Sequence, residues 1–531
     1  MAGKKYTLKS NLSLFLRVQS VCAGGIYQGY VLTEMLFTGM YILSMNGIQI
    51  FEESQNEKQL TEQTRLLCLL IGPIFCVSGF IISYFIPLFT AKIERRQCMI
   101  ISDIIFITAT ILTQIPSLYV FVIARFLMGA TCGIDLIVTP LYIREISPDH
   151  ISSKTESLFQ ANISLGILLA FFNQIPMENF TDNDQEIGNY WHFIFLFPAI
   201  FSIIRLLSLV FIYKKDTPYY YYRKKQLIQG REALELIYQD KCILELEQQY
   251  LVPGSFDINE IQTELQIGSC QDVESSEQAN NFNSLVSEEI NIIQDYGKSY
   301  KNRLRVGILI NFCQEMSGGT AVIGLSGSVI GLLTDNPEME RCLILGSYVF
   351  NLFVSTLGVA FDRKLARKKY LVGGFLLCSI CQFIMAIISS CFNNLKENLT
   401  LQFTFFMFLL FFYASFNFTI GPVTVILTSD ILKDRGFSYS IMANWLGHFF
   451  SFVLLVNPYQ YINHIIYGFF GFLGFLFSMK YIVETRWFNF SNLQEIYKDI
   501  QKNQQQNLKV KPTNEKTTIQ QNLLQNSDQI Q

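Results

Sequence analysis

Charge is what this 531-residue chain has least of: Asp, Glu, Lys and Arg make up 16% of it, against about a quarter in soluble domains. With half of its residues apolar, such a chain is not solvated by water alone, which excludes an ordinary soluble globular protein. Net charge is only -3, and no basic, aromatic surface run is present, so nucleic acid is not an expected partner. There is no glycine-rich loop with a following Lys to cradle phosphates, which argues against an ATP-driven pump. The four histidines are scattered, and the twelve cysteines sit mostly in apolar runs, where they behave as small hydrophobes. Cys378 and Cys381 stand one turn apart without a second pair, so no metal site is expected. Neither a cofactor nor a catalytic residue set emerges, and the chain is not read as an enzyme.

What is there in abundance is long apolar runs. A helix needs about 20 apolar residues to cross a bilayer, and twelve such spans can be drawn, near 15–45, 66–90, 98–115, 117–142, 156–174, 191–213, 303–332, 342–361, 370–391, 401–428, 437–456 and 461–483. The third and fourth meet at a tight turn, Ile115-Pro116-Ser117. The start, with Lys4, Lys5 and Lys9 before a long first span, reads as an uncleaved start helix rather than a cleavable signal peptide. Basic residues orient the spans. With the N-terminus cytoplasmic, the inside loops hold Lys92, Arg95, Arg96, Arg144, Lys154, Arg363, Lys364, Arg367, Lys368, Lys369, Lys433 and Arg435. The outside loops then hold only Lys58, Arg65, Arg341 and Lys396, so both termini are placed inside. The sequons Asn179-Phe180-Thr181 and Asn398-Leu399-Thr400 then both face out. The plasma membrane is the expected location.

The chain therefore divides into an N-terminal six-helix bundle (1–213), a cytoplasmic linker (214–302), a C-terminal six-helix bundle (303–499) and a Gln/Asn-rich tail (500–531). The linker opens basic, with Lys214, Lys215, Arg223, Lys224, Lys225 and Arg231, as suits a segment leaving the cytoplasmic leaflet. Between Glu232 and Asp295 it carries fourteen acidic residues and one lysine, Lys241. Residues 224–249 have helical periodicity, while about 252–295 and the tail have a composition that predicts disorder.

The densest pattern is RFLMGATCGIDLIVTPLYIREISPDHISSKTESLFQ at 125–160. Arg125 precedes a small-residue pair, Gly129 and Gly133, of the kind that lets membrane helices approach closely. Pro140, Tyr142, Glu145, Pro148 and Gln160 follow. The stretch resembles the helix 4 to helix 5 segment of the sugar porter branch of the major facilitator superfamily, R-F-x-x-G-x3-G, P-x-Y-x-x-E-x-x-P and a Gln one turn into helix 5. The second half echoes the first. Ala91-Lys92-Ile93-Glu94-Arg95-Arg96 after span 2 and Asp362-Arg363-Lys364-Leu365-Ala366-Arg367-Lys368 after span 8 stand where that family has D-R-x-G-R-R. Gly421-Pro422, Asp430 and Arg435-Gly436 parallel Pro140, Glu145 and the following turn, and Asn444-Trp445 matches the helix 11 pair. Glu484-Thr485-Arg486 resembles P-E-T-K-G, and Asp216-Thr217-Pro218 the matching P-E-S-P-R.

The resemblance, over about 15–225 and 300–496, implies an all-α membrane protein with twelve transmembrane helices in two pseudo-symmetric bundles, the major facilitator fold. It implies a cytoplasmic charge gate of Arg95, Glu145, Asp362, Asp430, Arg435 and Glu484, with Arg125 as a conformational residue. It also implies a central cavity where Gln160, Gln314, Asn351, Asn417, Asn444 and Trp445 meet a hydroxyl-rich solute, since amides supply donors and acceptors without a charge. Departures stand beside the matches: the family's Q-Q-x-S-G-x-N is here Gln314-Glu315-Met316-Ser317-Gly318-Gly319-Thr320. Its tyrosine pair is replaced by Gly324-Leu325, its span 10 Trp by Val425, and its cavity Glu by Asn417. Glu315 and Thr320 are accordingly added to the solute site, with less ring surface for stacking.

In proton-coupled sugar porters an Asp follows Gly-Tyr in helix 1, near the helix 4 Arg. Here Gly29-Tyr30 is followed by Val31, which predicts passive transport; Glu34 and Asp135 are the intramembrane carboxylates that a relocated proton site would use. The expected function is alternating-access transport of a sugar or similar polyhydroxylated solute. The alternatives are a non-transporting relative, acting as nutrient sensor or structural subunit, and a proton-coupled symporter.

Overall fold

The computed structural model describes residues 11–34, 51–54, 57–60, 62–177, 190–239, 243, 247, 300–324, 326–331, 333–334, 336–360, 366–391, 398–432, 434–455 and 459–485. Twelve helical spans account for most of them, because a backbone in lipid has to satisfy its own polar groups. In the first half these are α1 (Asn11–Thr33), α2 (Glu62–Thr90), α3 (Arg95–Leu112), α4 (Leu118–Ile146), α5 (Asp149–Gln174) and α6 (Tyr190–Ile212). In the second they are α7 (300–316, Gly319–Gly324 and Ser326–Ile330), α8 (Pro337–Ala360), α9 (Arg367–Cys391), α10 (Leu399–Ile431), α11 (Asp434–Leu455) and α12 (Gln460–Tyr481). Eight of the twelve contain stretches apolar enough over 18 residues to cross a bilayer by composition alone. Phe51–Ser54 and Glu57–Leu60 form a small antiparallel hairpin before α2, and the short helices Pro218–Arg223 and Leu227–Glu235 follow α6. The expected end of span 1 and the stretch 252–295 lie outside the described residues.

Several helices carry local irregularities where the sequence breaks the regular pattern. α7 breaks at Gly318, the one described glycine with positive φ, at 91°. α10 passes through a π-helical turn, Phe416–Ile420, directly before Gly421-Pro422, where the proline leaves a carbonyl without its usual partner. Close approach depends on glycine where helices cross. A Cβ on Gly29 would stand 2.0 Å from the Ile163 carbonyl oxygen, and one on Gly166 would stand 1.9 Å from that of Ile26, so α1 and α5 pack backbone to backbone. A Cβ on Gly129 would meet the Phe75 carbonyl at 2.2 Å, which seats α4 on α2.

Within the first half α1 packs on α5 and α2 on α4; within the second α9 packs on α12. The halves meet along α2 with α11 and α5 with α8, two contacts that exchange under the pseudo-two-fold of the repeat.

Candidate functional site

A cavity opens between the halves. Its polar lining is Gln28 from α1, Glu156 and Gln160 from α5, Gln314 and Glu315 from α7, and Asn444 and His448 from α11. Its apolar lining includes Phe159, Phe416, Pro422 and Val425. Gln160 Nε2 donates to Asn417 Oδ1 at 3.3 Å, and Asn417 Nδ2 donates to Asn351 Oδ1 at 2.5 Å. This chain of amides runs from α5 through α10 to α8 and so crosses from one half to the other. Ser164 and Ser355 join the same faces at 2.7 Å. Gln314 Nε2 donates to the Gly421 carbonyl at 3.4 Å, one of the carbonyls beside Pro422. Gln314 Oε1, Asn444 Oδ1 and Asn351 Nδ2 are buried and have no hydrogen-bond partner among the described residues. Buried amide atoms left so are costly, and both acceptors and donors are on offer.

Three contacts are among those that hold Glu315 in this wall. Asn444 Nδ2 donates to its Oε1 at 3.1 Å, Ser451 Oγ donates to its backbone carbonyl at 2.8 Å, and His448 Nε2 stands 3.4 Å from its Oε2. Trp445, expected on the solute, is instead wholly buried between α11 and α2, 5.5 Å from the Phe75 ring and over Gly79. It is not part of the cavity lining. The side chain of Thr320 lies outside the described residues.

The membrane interior of the first half is tied by buried ions. Arg125 Nη1 pairs with Glu34 Oε1 at 2.7 Å and donates to the Val31 carbonyl at 3.1 Å, with its guanidinium 5.3 Å from the Phe75 ring. Arg125 thus meets a carboxylate at Glu34 and only a backbone carbonyl at Val31. Asp135 pairs with Arg205 at 3.1 Å, and Arg205 also pairs with Asp103 at 2.8 Å. Tyr27 donates its hydroxyl to Asp135 and accepts from Arg205 Nη2 at 2.9 Å, while Ser202 Oγ donates to Asp103 at 2.8 Å. All three ions of this triad are fully shielded from solvent. Two carboxylates and one guanidinium leave it with one more negative than positive group. Asp103, Arg205 and Tyr27 are not marked by any motif; a lone Arg in an apolar span is the signal that a buried carboxylate partner exists.

At the end carrying the basic loops the two halves hold matching clamps. Arg95 pairs with Glu145 at 2.6 Å; Thr217 Oγ1 donates to Glu145 at 2.6 Å, and Asp216 accepts the Arg95 and Arg96 backbone N–H groups at 2.8 and 3.3 Å. In the second half Arg367 pairs with Asp430, and Thr485 Oγ1 donates to Asp430 at 2.9 Å. Glu484 accepts the Arg367 and Lys368 backbone N–H groups at 3.0 and 3.1 Å. Burial, with Glu145 close by, pushes the Asp216 carboxyl up to about 7 against the pull of Arg95. Among the described residues an ion contact joins the clamps: Arg144 Nη2 lies 3.5 Å from Asp430 Oδ1. Arg435, expected in this gate, is exposed at the start of α11, while Arg367 and Arg144 pair with Asp430. Asp362 lies outside the described residues.

This pairing of two six-helix halves, with a polar cavity between them and repeated loop clamps, is the arrangement that the loop motifs imply. Residues 18–497 match the family described as sugar (and other) transporter. The chain is a member of that family. Among other members, it is 24% identical over 428 residues to Hexose transporter 1 of Plasmodium knowlesi, covering 77% of each chain. It is 20% identical over 407 residues to the galactose-proton symporter of Escherichia coli K12, covering 74% of this chain and 78% of the relative. Its backbone superposes on the proton:xylose symporter XylE bound to 6-bromo-6-deoxy-D-glucose with a TM-score of 0.71 at 19% identity, covering 92% of this chain and 100% of that one. For the inward open conformation of XylE from E. coli the TM-score is 0.63. These likenesses establish the major facilitator fold and an integral multi-pass membrane protein.

Proposed function

We propose that this transporter carries a monosaccharide or a similar polyhydroxylated solute across a membrane, the two halves opening the cavity alternately to either side. The observation that carries this reading is the amide set at the meeting of the halves, Gln160, Gln314, Asn351, Asn417 and Asn444. Its members come from both halves, and several keep donors or acceptors unmatched by protein. Hydroxyls, which donate and accept, complete such a set, whereas a purely cationic or purely apolar solute does not. Phe159, Phe416 and Val425 supply the apolar side against which a sugar face rests. The clamps are the gate at the cytoplasmic end, with both termini on that side in the plasma membrane, as the basic loops imply.

The reading favours passive movement, since Val31 carries no proton. A second reading, proton coupling, has a specific support: Glu34 stands 2.7 Å from Arg125, one turn beyond the expected carboxylate position. Uptake of tritiated D-glucose, D-galactose and D-xylose into proteoliposomes holding only this protein tests both. Equilibration of at least one sugar, unaffected by an imposed inward proton gradient, is the expected result. Uphill accumulation lost in Glu34→Gln would establish coupling instead. Absence of uptake of all three would leave the chain as a sensor or structural relative.

A further inference from the structure

Gln28 on α1 differs from the other amides around the cavity. Gln160, Gln314, Asn351, Asn417 and Asn444 each share a side-chain hydrogen bond with another protein group. Gln28 lines the cavity and is 3% exposed, yet its side chain forms no hydrogen bond among the described residues. Its Oε1 is shielded from solvent and has no donor there. Burying a carbonyl oxygen without a donor is costly. A shielded amide of this kind in a cavity wall therefore calls for a partner that is not part of the protein.

The helix that carries Gln28 is fixed on two sides, so it cannot shift to bring the amide to a protein partner. A Cβ on Gly25 would stand 2.9 Å from the Phe159 carbonyl oxygen, and one on Gly29 would stand 2.0 Å from that of Ile163, so the turns flanking Gln28 lie flat on α5. Phe159 and Ile163 themselves line the cavity. On another side Tyr27 donates to Asp135 and accepts from Arg205, and a Cβ on Gly24 would stand 2.1 Å from Arg205 Nη1. Gln28 and Leu32, one turn apart and so on one face of α1, both line the cavity.

We propose that Gln28 is a further solute-binding residue, its amide taking one hydroxyl of the sugar from the α1 side of the cavity. Gln314 on α7 and Asn444 on α11 line the same cavity and also keep a carbonyl oxygen without a donor among the described residues. These three carbonyl oxygens come from three helices, one in the first half and two in the second. A solute that donates O–H groups to all of them bridges the halves. Water takes those places while the cavity is empty and open, and sugar hydroxyls replace it at little cost in hydrogen bonding. The inference rests on the sugar-transport reading and holds whether the carrier is passive or driven.

The test pairs a substitution with deleted hydroxyls. Gln28→Met keeps an unbranched side chain of similar length and removes the amide. In proteoliposomes, half-saturation for the best transported of tritiated D-glucose, D-galactose and D-xylose should rise roughly 5- to 150-fold. Competition by the monodeoxy analogues of that sugar then locates the contact. At one position the deoxy analogue should bind more weakly than the parent sugar to wild type but equally well to Gln28→Met, whose partner is already gone. At the other positions the two losses should add. The thermal midpoint without sugar should hold or rise, because a buried amide without a partner has been removed. Gln28→Leu repeats these readings with a second shape in case methionine packs badly. Unchanged half-saturation, additive losses at every position, or a sugar-free midpoint that falls in both variants would make Gln28 a packing residue and overturn the proposal, with wild-type sugar transport left standing. Failure of folded wild-type protein to take up any of the three sugars defeats the transport reading and this proposal with it.

Discussion

The two halves of the bundle share a fold and matching loop clamps, yet they fill their interiors differently. The first half is tied through its middle by ions: Arg125 with Glu34, and Arg205 with Asp103 and Asp135. The second half carries amides, hydroxyls and imidazoles there: Asn311 on Thr428 at 2.9 Å, His464 on Gln382 at 2.7 Å, Tyr413 on the Val322 carbonyl at 3.1 Å. A carboxylate stands among these, Glu315, and it lines the cavity. Buried ions in a low-dielectric interior hold geometry tightly and are costly to disturb. Neutral hydrogen bonds can be exchanged for bonds to a solute at much lower cost. The comparison teaches a division of labour, in which the first half is the stiffer frame and the second supplies most of the adjustable polar surface.

The sharpest way to break that comparison is Arg205→Met. The substitution leaves Asp103 and Asp135 facing each other with no cation, both fully shielded from solvent. Loss of one member of a buried ionic set costs about 3–5 kcal/mol. The expected result is a steep fall in folded, monodisperse protein and in its thermal midpoint. The neutral triple Asp103→Asn, Arg205→Met, Asp135→Asn should recover much of the loss. A single variant as stable as wild type would show that the ions do not stiffen the first half.

A second substitution probes the other side of the comparison. Gln314→Ala deletes an amide with one weak bond, to the Gly421 carbonyl at 3.4 Å, and an unmatched acceptor. Thermal stability should change little. Losing a partner for a sugar hydroxyl costs about 1–3 kcal/mol, so half-saturation should rise roughly 5- to 150-fold. A variant that unfolds while its surviving fraction binds sugar normally would make Gln314 a helix-packing residue and weaken the distinction between the halves.

The sequence makes one kind of information legible and hides another. Arg125, Gly129, Gly133, Pro140, Glu145 and Gln160 are visible because they recur at fixed spacing within one segment. The span boundaries are visible too: the turn at Ile115-Pro116-Ser117 falls between Leu112 and Leu118, where α3 ends and α4 begins. Glu34 is visible as an intramembrane carboxylate one turn from Val31. The Asp103–Arg205–Asp135 triad is hidden, since its members are separated by 102 positions or lie on three different spans. No local spacing encodes such a meeting. The contact of Arg144 with Asp430 is hidden for the same reason: which basic residue reaches Asp430 depends on how α4 faces α10. His448 was within reach, because it follows Asn444 by four residues and so shares its helix face.

The clamps offer a pH-dependent test. Asp216 is fully buried, and burial pushes its carboxyl up to about 7. A carboxyl raised in the folded state contributes stability below its unfolded value near 4. That contribution is lost as pH rises through about 7. Wild-type thermal stability should therefore decline between pH 5 and 8, and Asp216→Asn should flatten the decline. The variant should compare best with wild type at pH 8, where the ionised Asp216 is most costly, and worst at pH 5. A decline that Asp216→Asn leaves intact would place the titrating group elsewhere.

The smallest expected effect distinguishes a true link between the halves from a surface charge. Arg144 reaches Asp430 across the interface at 3.5 Å, with its own side chain 30% exposed. A partly solvated contact of this length contributes about 0–1 kcal/mol, enough to shift the balance between joined and separated clamps by up to about fivefold. Arg435 is exposed at the start of α11, so the neighbouring substitution Arg435→Gln is the natural control. Sugar exchange in proteoliposomes should change up to about fivefold in Arg144→Gln and stay at the wild-type rate in Arg435→Gln. Restoring the rate by pairing Arg144→Gln with Asp430→Asn is not expected, because Asp430 also anchors Arg367 and Thr485 within its own half. Equal effects of the two arginine substitutions would mean that the end of the molecule responds to total charge, and the specific bridge between the halves would have to be abandoned.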